Sequence, residues 1–384
     1  MPAPVVIASC QDPDTAAAVQ SLVVQLAPTA PVLVVVFVGE SHDPQHVAAS
    51  LKFSLPDAIT VGCSTAGEIG PDGYTHGGMV AFAFTAPARA AAVWLDDLAA
   101  VSLSGDAAAV VQRVAGELGL GVGELDPRRH AFITLVDGMT SAGELFVAAV
   151  ANAAPGIPLV GGSAGSAMQR LDTTWTFADG AAATGSGVLL LVEPGVPFCC
   201  FATHHFRVGE ERLIVTGARP DQHLLDELNG WPAVDEYARV AGVDPASLRS
   251  GDVGPAALPV QLGFLAGDEL YLRGLLEVRG DGFLLGGAVE EGMVLRTAHA
   301  RGDLLAGTRR AIDDVLTAVG EPAGVLVFEC VGRRMHAEAA GLLEALAELG
   351  ARHPVGGFHT FGEQYGALQV NFTLSGMAVG TARG

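Results

Sequence analysis

Lysine is almost missing from this chain: of its 21 basic residues only Lys52 is lysine. Basic charge is scarce altogether against 42 acidic residues, and a formal net charge of -21 repels phosphate backbones and anionic lipid surfaces. Nucleic acid and membrane are therefore not expected as partners. The five cysteines, Cys10, Cys63, Cys199, Cys200 and Cys330, form no C-x-x-C pair, and their odd number points to reduced thiols in a cytoplasmic setting, without a disulfide framework or a structural metal. Long apolar runs are missing too; Val32 to Val38 and Val188 to Val192 fall far short of a bilayer span. The start, Met1 to Cys10, has no basic stretch ahead of an apolar one, so no secretory leader is expected, although Ile7-Ala-Ser-Cys10 has the look of a lipoprotein box.

What is present is apolar and glycine-rich. Half of the 384 residues are hydrophobic and 50 are glycine, enough chain for two domains with substantial cores. Val32 to Val38 is continuously apolar, which predicts a strand covered on both faces. A helix follows from Pro44 to about Leu55, capped by Asp43, and Ala58 to Cys63 is the returning strand. The same order recurs as strand Phe132 to Val136, helix Ser141 to Ala153 with a capping box of Ser141 and Glu144, and strand Ile157 to Gly161. Residues Phe198 to Phe206 and Leu270 to Leu276 read as strands, Ser247 to Pro259 as a connection, and Gly302 to Val319 as a helix. A third copy reads as strand Gly324 to Phe328, helix His336 to Leu349 and return Pro354 to Gly357. The fold class is thus α/β: a layered sandwich of mixed β-sheets covered by helices, in two related domains, 1–220 and 221–384, with repeated strand-helix-strand units.

The three copies end in related turns, at Gly62-Cys63-Ser64-Thr65, Gly161-Gly162-Ser163-Ala164 and Gly356-Gly357-Phe358-His359-Thr360. Phe37 to Gly62 and Val136 to Gly161 are each 25 residues, and Phe328 to Gly356 is 28. The first and third turns continue to Glu68 and Glu363, while the middle one lacks the carboxylate. Thr-x-x-Glu is also a capping box, but the glycines and proline that follow exclude a useful helix, which leaves the two carboxylates in exposed or cleft-lining turns. Glycines there would let the backbone approach a ligand and offer amides to an anion or carbonyl.

Val61-Gly-Cys-Ser-Thr-Ala-Gly-Glu68, Gly161-Gly-Ser163, Phe328-Glu-Cys-Val-Gly-Arg333 and Gly356-Gly-Phe-His-Thr-Phe-Gly-Glu363 together resemble the FIST family, the F-box and intracellular signal transduction proteins with paired FIST N and FIST C domains. The resemblance covers nearly the whole chain. It implies a bacterial-type sensory module that binds a small ligand such as an amino acid, with FIST N over 1–220 and FIST C over 221–384, and a separate signalling protein as partner. It also implies a possible haem cofactor, since some relatives respond to nitric oxide. The expected ligand set is Cys63, Ser64, Thr65, Glu68, Gly162, Ser163, Arg333, Phe358, His359, Thr360 and Glu363 around a cleft. Arg333 would hold a carboxylate, the turns would give amides, and Glu68 or Glu363 would take an amino group.

Rival chemistries attach to some of the same residues. Gly161-Gly-Ser163-Ala-Gly165 matches a nucleophile elbow, which would make Ser163 the serine of a hydrolase, but the elbow needs a helix at once and Ala167 to Asp172 soon becomes β-like. Cys63 is either a reactive thiolate at a strand end or a small buried hydrophobe. Neighbours in one strand, Cys199 with Cys200 and His204 with His205, face opposite ways and cannot share a metal, though either histidine alone could ligate haem. His42 precedes the Asp43 cap and so shares no helix face with His46. No catalytic residue and no metal site is expected.

Overall fold

The computed structural model describes residues 3–167, 173–251, 258–300 and 304–381. It is a mixed α/β architecture in which one unit occurs three times. The first unit runs β1 (Val5–Cys10), α1 (Thr15–Leu26), β2 (Leu33–Val38), α2 (Pro44–Ser54), β3 (Ile59–Ser64), the hairpin β4 (Glu68–Gly70) and β5 (Gly73–Thr75), and β6 (Met79–Phe84). The second runs β7 (Arg89–Leu95), α3 (Leu98–Ser104), α4 (Ala107–Glu117), β8 (Ala131–Val136), α5 (Ala142–Ala153), β9 (Leu159–Ser163), the hairpin β10 (Thr176–Ala178) and β11 (Ala181–Ala183), and β12 (Gly187–Glu193).

The third opens with β13 (Phe198–His204) and is then interrupted. The inserted segment is β14 (Phe206–Arg219), β15 (Leu224–Leu228), β16 (Trp231–Pro232), α6 (Ala233–Ala241), α7 (Pro245–Arg249), β17 (Gln261–Ala266), β18 (Glu269–Arg273), β19 (Leu275–Arg279), β20 (Gly282–Leu285) and β21 (Val294–Ala300). The unit resumes with α8 (Leu304–Val319), β22 (Pro322–Cys330), α9 (Val331–Ala339), α10 (Leu343–Gly350), β23 (Val355–Thr360), the hairpin β24 (Glu363–Tyr365) and β25 (Leu368–Val370), and β26 (Thr373–Gly380).

Each unit builds one sheet in the same order, and each sheet is completed by a hairpin from another unit. The orders are β1-β6-β2-β3-β10-β11, β7-β12-β8-β9-β24-β25 and β13-β26-β22-β23-β4-β5. The second unit's hairpin thus joins the first sheet, the third unit's joins the second, and the first unit's joins the third. Only β2/β3, β8/β9 and β22/β23 pair in parallel within these sheets, as strand-helix-strand crossovers require. The three inner faces meet in one core containing Phe37, Leu135, Phe328 and Phe358, where Phe37 stacks on Phe358 at 4.8 Å and Phe328 meets both edge-on. Helices cover the outer faces, so β2 and β8 are buried along their whole length, which is why they read as unbroken apolar runs.

The inserted segment forms its own sheet, β18-β17-β21-β14-β15-β20-β19 with β16 on β15, over a separate apolar core that includes Tyr237 and Phe283. Residue 220 falls between β14 and β15, which pair with each other in this sheet. Arg273, buried, donates to the Ala288 carbonyl of its own segment (2.9 Å) and ties the sheet to the rest through the Gln369 carbonyl (2.7 Å) and the Glu144 carboxylate.

Local readings hold or fail for definable reasons. Asp43 caps α2, accepting from the His46 amide at 2.6 Å, with Pro44 in the first turn. Ser141 makes no side-chain cap to α5, since its own backbone is already helical, and Glu144 turns instead to Arg273 and the Ala288 amide. The helix expected over His336 to Leu349 is two, α9 and α10, divided at Gly341 in the left-handed region, and α9 starts directly after β22 at Val331. The strands expected over Phe198 to Phe206 and Leu270 to Leu276 are each divided, at His205 and Gly274, where the chain changes partner. The expected connection Ser247 to Pro259 and the start of the expected helix at Gly302 lie partly outside the described residues.

Candidate functional site

The strand-end turns do converge, but on one another. The Ala66 amide donates to the His359 carbonyl (3.0 Å), the Gly165 amide to the Ser64 carbonyl (3.0 Å) and the Phe361 amide to the Ser163 carbonyl (3.1 Å), one link between each pair of units. Further links run from the His359 amide to the Gly67 carbonyl (2.8 Å), from Ser163 to Gly362 (2.7 Å) and from Ser64 to Trp175 (3.1 Å). These amides hold the units together and offer nothing to a ligand. The cleft expected around Cys63, Gly162 and Phe358 is closed: Cys63 and Phe358 are core residues, and a Cβ at Gly162 would meet Thr360, Phe358 and Phe328 within 3.0 Å.

The repeated glycine serves strand packing. Register aligns Gly62, Gly161 and Gly357, so the third copy's counterpart is Gly357, not Gly356. A Cβ there would lie 2.0, 2.2 and 1.9 Å from the carbonyl oxygens of Val36, Thr134 and Val327 on the adjoining strands. The close backbone approach that asks for glycine is that of the parallel neighbour rather than of a ligand.

Glu68 and Glu363 are buried, not exposed in a turn. Glu68 accepts from the Thr65 hydroxyl (2.5 Å) and the Gly78 amide (3.1 Å); Glu363 accepts from the hydroxyls of Thr360 and Thr373 and from the Thr373 amide (3.3 Å). Burial lifts their carboxyls to about 7 and about 8, against the opposing effect of those hydrogen bonds. Their places in the sheets are opposite Phe358 and Gly162, and the matching place opposite Cys63 is held by Thr176, so the middle copy does lack the carboxylate.

The third unit departs from this shared plan at one place. Across the parallel strand pairs, Val38 faces Ser64 and Val136 faces Ser163, but Glu329 faces His359. Arg333 in α9, four residues on from Glu329 near the end of β22, donates to the Glu329 carboxylate and to the Thr308 hydroxyl of α8 (2.6 Å). The Nδ1 of His359 lies 3.6 Å from Glu329 Oε2, and both its ring nitrogens are without a hydrogen-bond partner although the residue is 0 % exposed. Tyr74, on the hairpin lent by the first unit, stands edge-on to His359 at 4.9 Å. Burial, followed by the charges of Arg334, His76 and Arg333, holds the imidazole well below its ordinary value, and burial pulls Arg333 down too.

Beside this group lies a cavity of about 90 Å³ between the outer face of the third sheet and helices α8 and α10. In the first two units the corresponding faces are filled, by Val47 and Leu51 against Val34, Val36 and Val38, and by Phe146 and Val150 against Phe132 and Val136. Here Gly70, Gly73, Ala347 and Gly350 are too small to fill it. Glu329, Arg333 and Thr308 reach it as one polar patch in a lining otherwise made mainly by residues such as Ile69, Val315, Val327 and Leu346. About 10–15 Å³ of such space holds one water, so there is room for a ligand of several non-hydrogen atoms.

Of the expected ligand set, then, only Arg333 lines the cavity, with His359 behind it. Cys63, Gly162 and Phe358 belong to the core, and Ser64, Thr65, Glu68, Ser163, Thr360 and Glu363 to the ring of turns. Sequence reading missed Glu329, Thr308 and Tyr74. A carboxylate directly after the apolar run Val325 to Phe328 and four residues before Arg333 was the available signal.

The rival sites are placed as follows. Ser163 is buried and its Oγ accepts from Gln364 Nε2 at 3.0 Å, while part of the segment that should supply the elbow's helix, 168–172, lies outside the described residues. Burial raises the Cys63 thiol well above its ordinary value, the opposite of what a reactive thiolate needs. His205 is packed against Phe206 and lies 3.2 Å from His336, and the cavity touches neither His204 nor His205, so these residues do not fit an axial haem role. All five cysteines are free, and among the described residues no cluster of three metal-ligating side chains occurs and no single helix is long and apolar enough to cross a membrane.

Fold and site together define a three-unit α/β protein with a ligand-sized chamber on its third unit. The chain belongs to the FIST family: the FIST N domain matches residues 32–231 and the FIST C domain residues 233–366. FIST domains are sensory domains of signal transduction. The border between the two matches falls within the inserted segment, at β16 just before α6. Comparison with curated proteins returned no match. Among solved structures, one described as "Cyanuric acid hydrolase: evolutionary innovation by structural concatenation" is similar over 97% of this chain and 98% of its own, at 12% identity and a TM-score of 0.33. A score that low carries no argument about the site.

Proposed function

We propose that this protein is a cytoplasmic small-ligand sensor without catalytic chemistry, that its ligand lodges in the third-unit cavity with a carboxylate on Arg333, and that occupancy is passed to a separate signalling protein. The observation that carries this reading is the replacement of the Val and Ser pair of the other two units by Glu329 and His359, with Arg333 alongside. Burying an ion pair costs several kcal/mol per ion and burying a neutral imidazole without a hydrogen bond adds to it, and the first two copies build the same strand pair without that cost. The fold does not need these charges, so a ligand is the reason to keep them. The ligand this lining suits is a small metabolite with one carboxylate end and an apolar body; an amino acid with an aliphatic side chain meets that description, and so does the corresponding simple acid.

A thermal-shift screen of such compounds on the wild type and on Gly350→Leu tests the assignment. Gly350 lines the cavity in α10, and a Cβ there meets nothing within 4 Å, so a larger side chain can enter the space without a clash. The expected result is a ligand that raises the wild-type melting temperature and leaves the variant unmoved. A ligand that stabilises both equally places the site elsewhere.

A further inference from the structure

We infer, building on the cavity reading above, that the occupant is an apolar monocarboxylate rather than a zwitterion, and that its anion enters with one proton, which settles on His359 as Arg333 turns from Glu329 to the ligand. An ammonium group has three donors to satisfy. Near Arg333 the lining offers it the Glu329 carboxylate and the Thr308 hydroxyl, both already bonded to Arg333, and the single Tyr74 hydroxyl, while His353 lines the cavity beside Glu321 at the other end of β22. A charged donor left unsatisfied in a buried site costs more than a neutral one. A plain carboxylate has one demand, and Arg333 meets it with a planar fork.

The anion cannot come alone, because Arg333 would then stand between two buried carboxylates. His359 is the group placed to balance it. It is fully buried, its Nδ1 is 3.6 Å from Glu329 Oε2, and both ring nitrogens are unpartnered. A zwitterion would leave this imidazole without a role, whereas an incoming anion gives it one. The charged and titratable groups around it are Glu329 on β22, Arg333 and Arg334 on α9, Tyr74 on β5 and His76 just beyond it, with Glu338 and Glu68 acting through Arg334. While the cavity is empty, Arg333 neutralises Glu329, and Arg334 and burial keep the ring neutral. Once Arg333 is drawn to the ligand, Glu329 faces His359 unshared and the imidazolium is the stable form. Nothing covalent happens: one proton moves from solvent to His359 and the buried charge is unchanged.

The test compares 4-methylpentanoate with leucine, which has the same carbon skeleton plus an ammonium group, by titration calorimetry in buffers of different ionisation heat. The expected result is that the acid binds at least about tenfold more tightly than leucine and takes up about one proton. Its affinity should fall by up to about tenfold per pH unit between about pH 6 and about pH 8. The double variant Glu329→Val with His359→Ser, which installs the pair carried by the other two units, should bind the acid without proton uptake and without pH dependence. Leucine binding more tightly than the acid, or acid binding with no proton taken up by the wild type, overturns the inference while leaving the cavity assignment standing. Failure of both compounds to bind the wild type, with Gly350→Leu behaving identically, removes both. Should the double variant not fold, the wild-type proton count decides by itself.

Discussion

Replacing Glu363 by Gln isolates the consequence of burying a carboxyl inside the ring of turns. The wild-type group accepts from the Thr360 hydroxyl, the Thr373 hydroxyl and the Thr373 amide, and burial raises it to about 8. Unfolding returns it to the ordinary value of about 4.3, so between these limits the folded chain holds a proton the unfolded chain has released. The sign follows: stability from this group is full below the lower value and is lost as pH rises through the upper one. At about 1.4 kcal/mol per pH unit the ceiling is about 5 kcal/mol, and relaxation around the charged form brings a realistic figure to about 2 kcal/mol. Glutamine is the neutral mimic: its oxygen can accept from Thr373 and its nitrogen can donate to the Thr360 hydroxyl. Thermal unfolding of both proteins from about pH 5 to about pH 9 should show the wild type losing several degrees more than Glu363→Gln, with the variant the more stable above about pH 8. Equal pH slopes, or a variant weaker than wild type at the alkaline end, would refute the claim that this carboxyl is protonated in the neutral fold.

Other positions give sharper contrasts. Gly161→Ala puts a methyl group 2.2 Å from the Thr134 carbonyl oxygen and should cost more than about 3 kcal/mol or prevent folding, whereas Gly350→Ala, in a helix with open space around it, should gain up to about 1 kcal/mol; chemical denaturation of the pair decides it. Arg333→Ala leaves buried Glu329 with only the His359 imidazole, which must take up a proton to pair with it, and should destabilise by up to about 3–5 kcal/mol, most at high pH, while Glu329→Val with Arg333→Met should lose less than either single change, as a double-mutant cycle would measure. Arg273→Ala removes two links between the inserted sheet and the repeated units, those to Gln369 and Glu144, and amide exchange should accelerate in β18 to β21 ahead of β2 and β8.

The parts of this protein set by local patterning were legible in its residues. The unbroken apolar run at Val32 to Val38, the Asp43 cap and the thrice-repeated strand-helix-strand order all follow from short-range rules. The hairpin exchange was hidden, since β4, β10 and β24 are only three residues long and their partners lie in other units. With it was hidden the true neighbour of the repeated glycines, so a position that admits an adjoining strand looked like one that admits a ligand. The site was half visible. Arg333 stood out as a charge at a strand end, but only the parallel register sets Glu329 beside His359, and the cavity arises from what Gly70, Gly73, Ala347 and Gly350 leave unfilled.

A crystal of the protein grown with 4-methylpentanoate reads the central assignment directly. Density is expected between α8 and β22, with the carboxylate within hydrogen-bonding reach of Arg333 and the chain running toward Val315 and Leu346. Ordered ligand at the ring of turns instead, or a third-unit chamber closed by its own side chains, would contradict it.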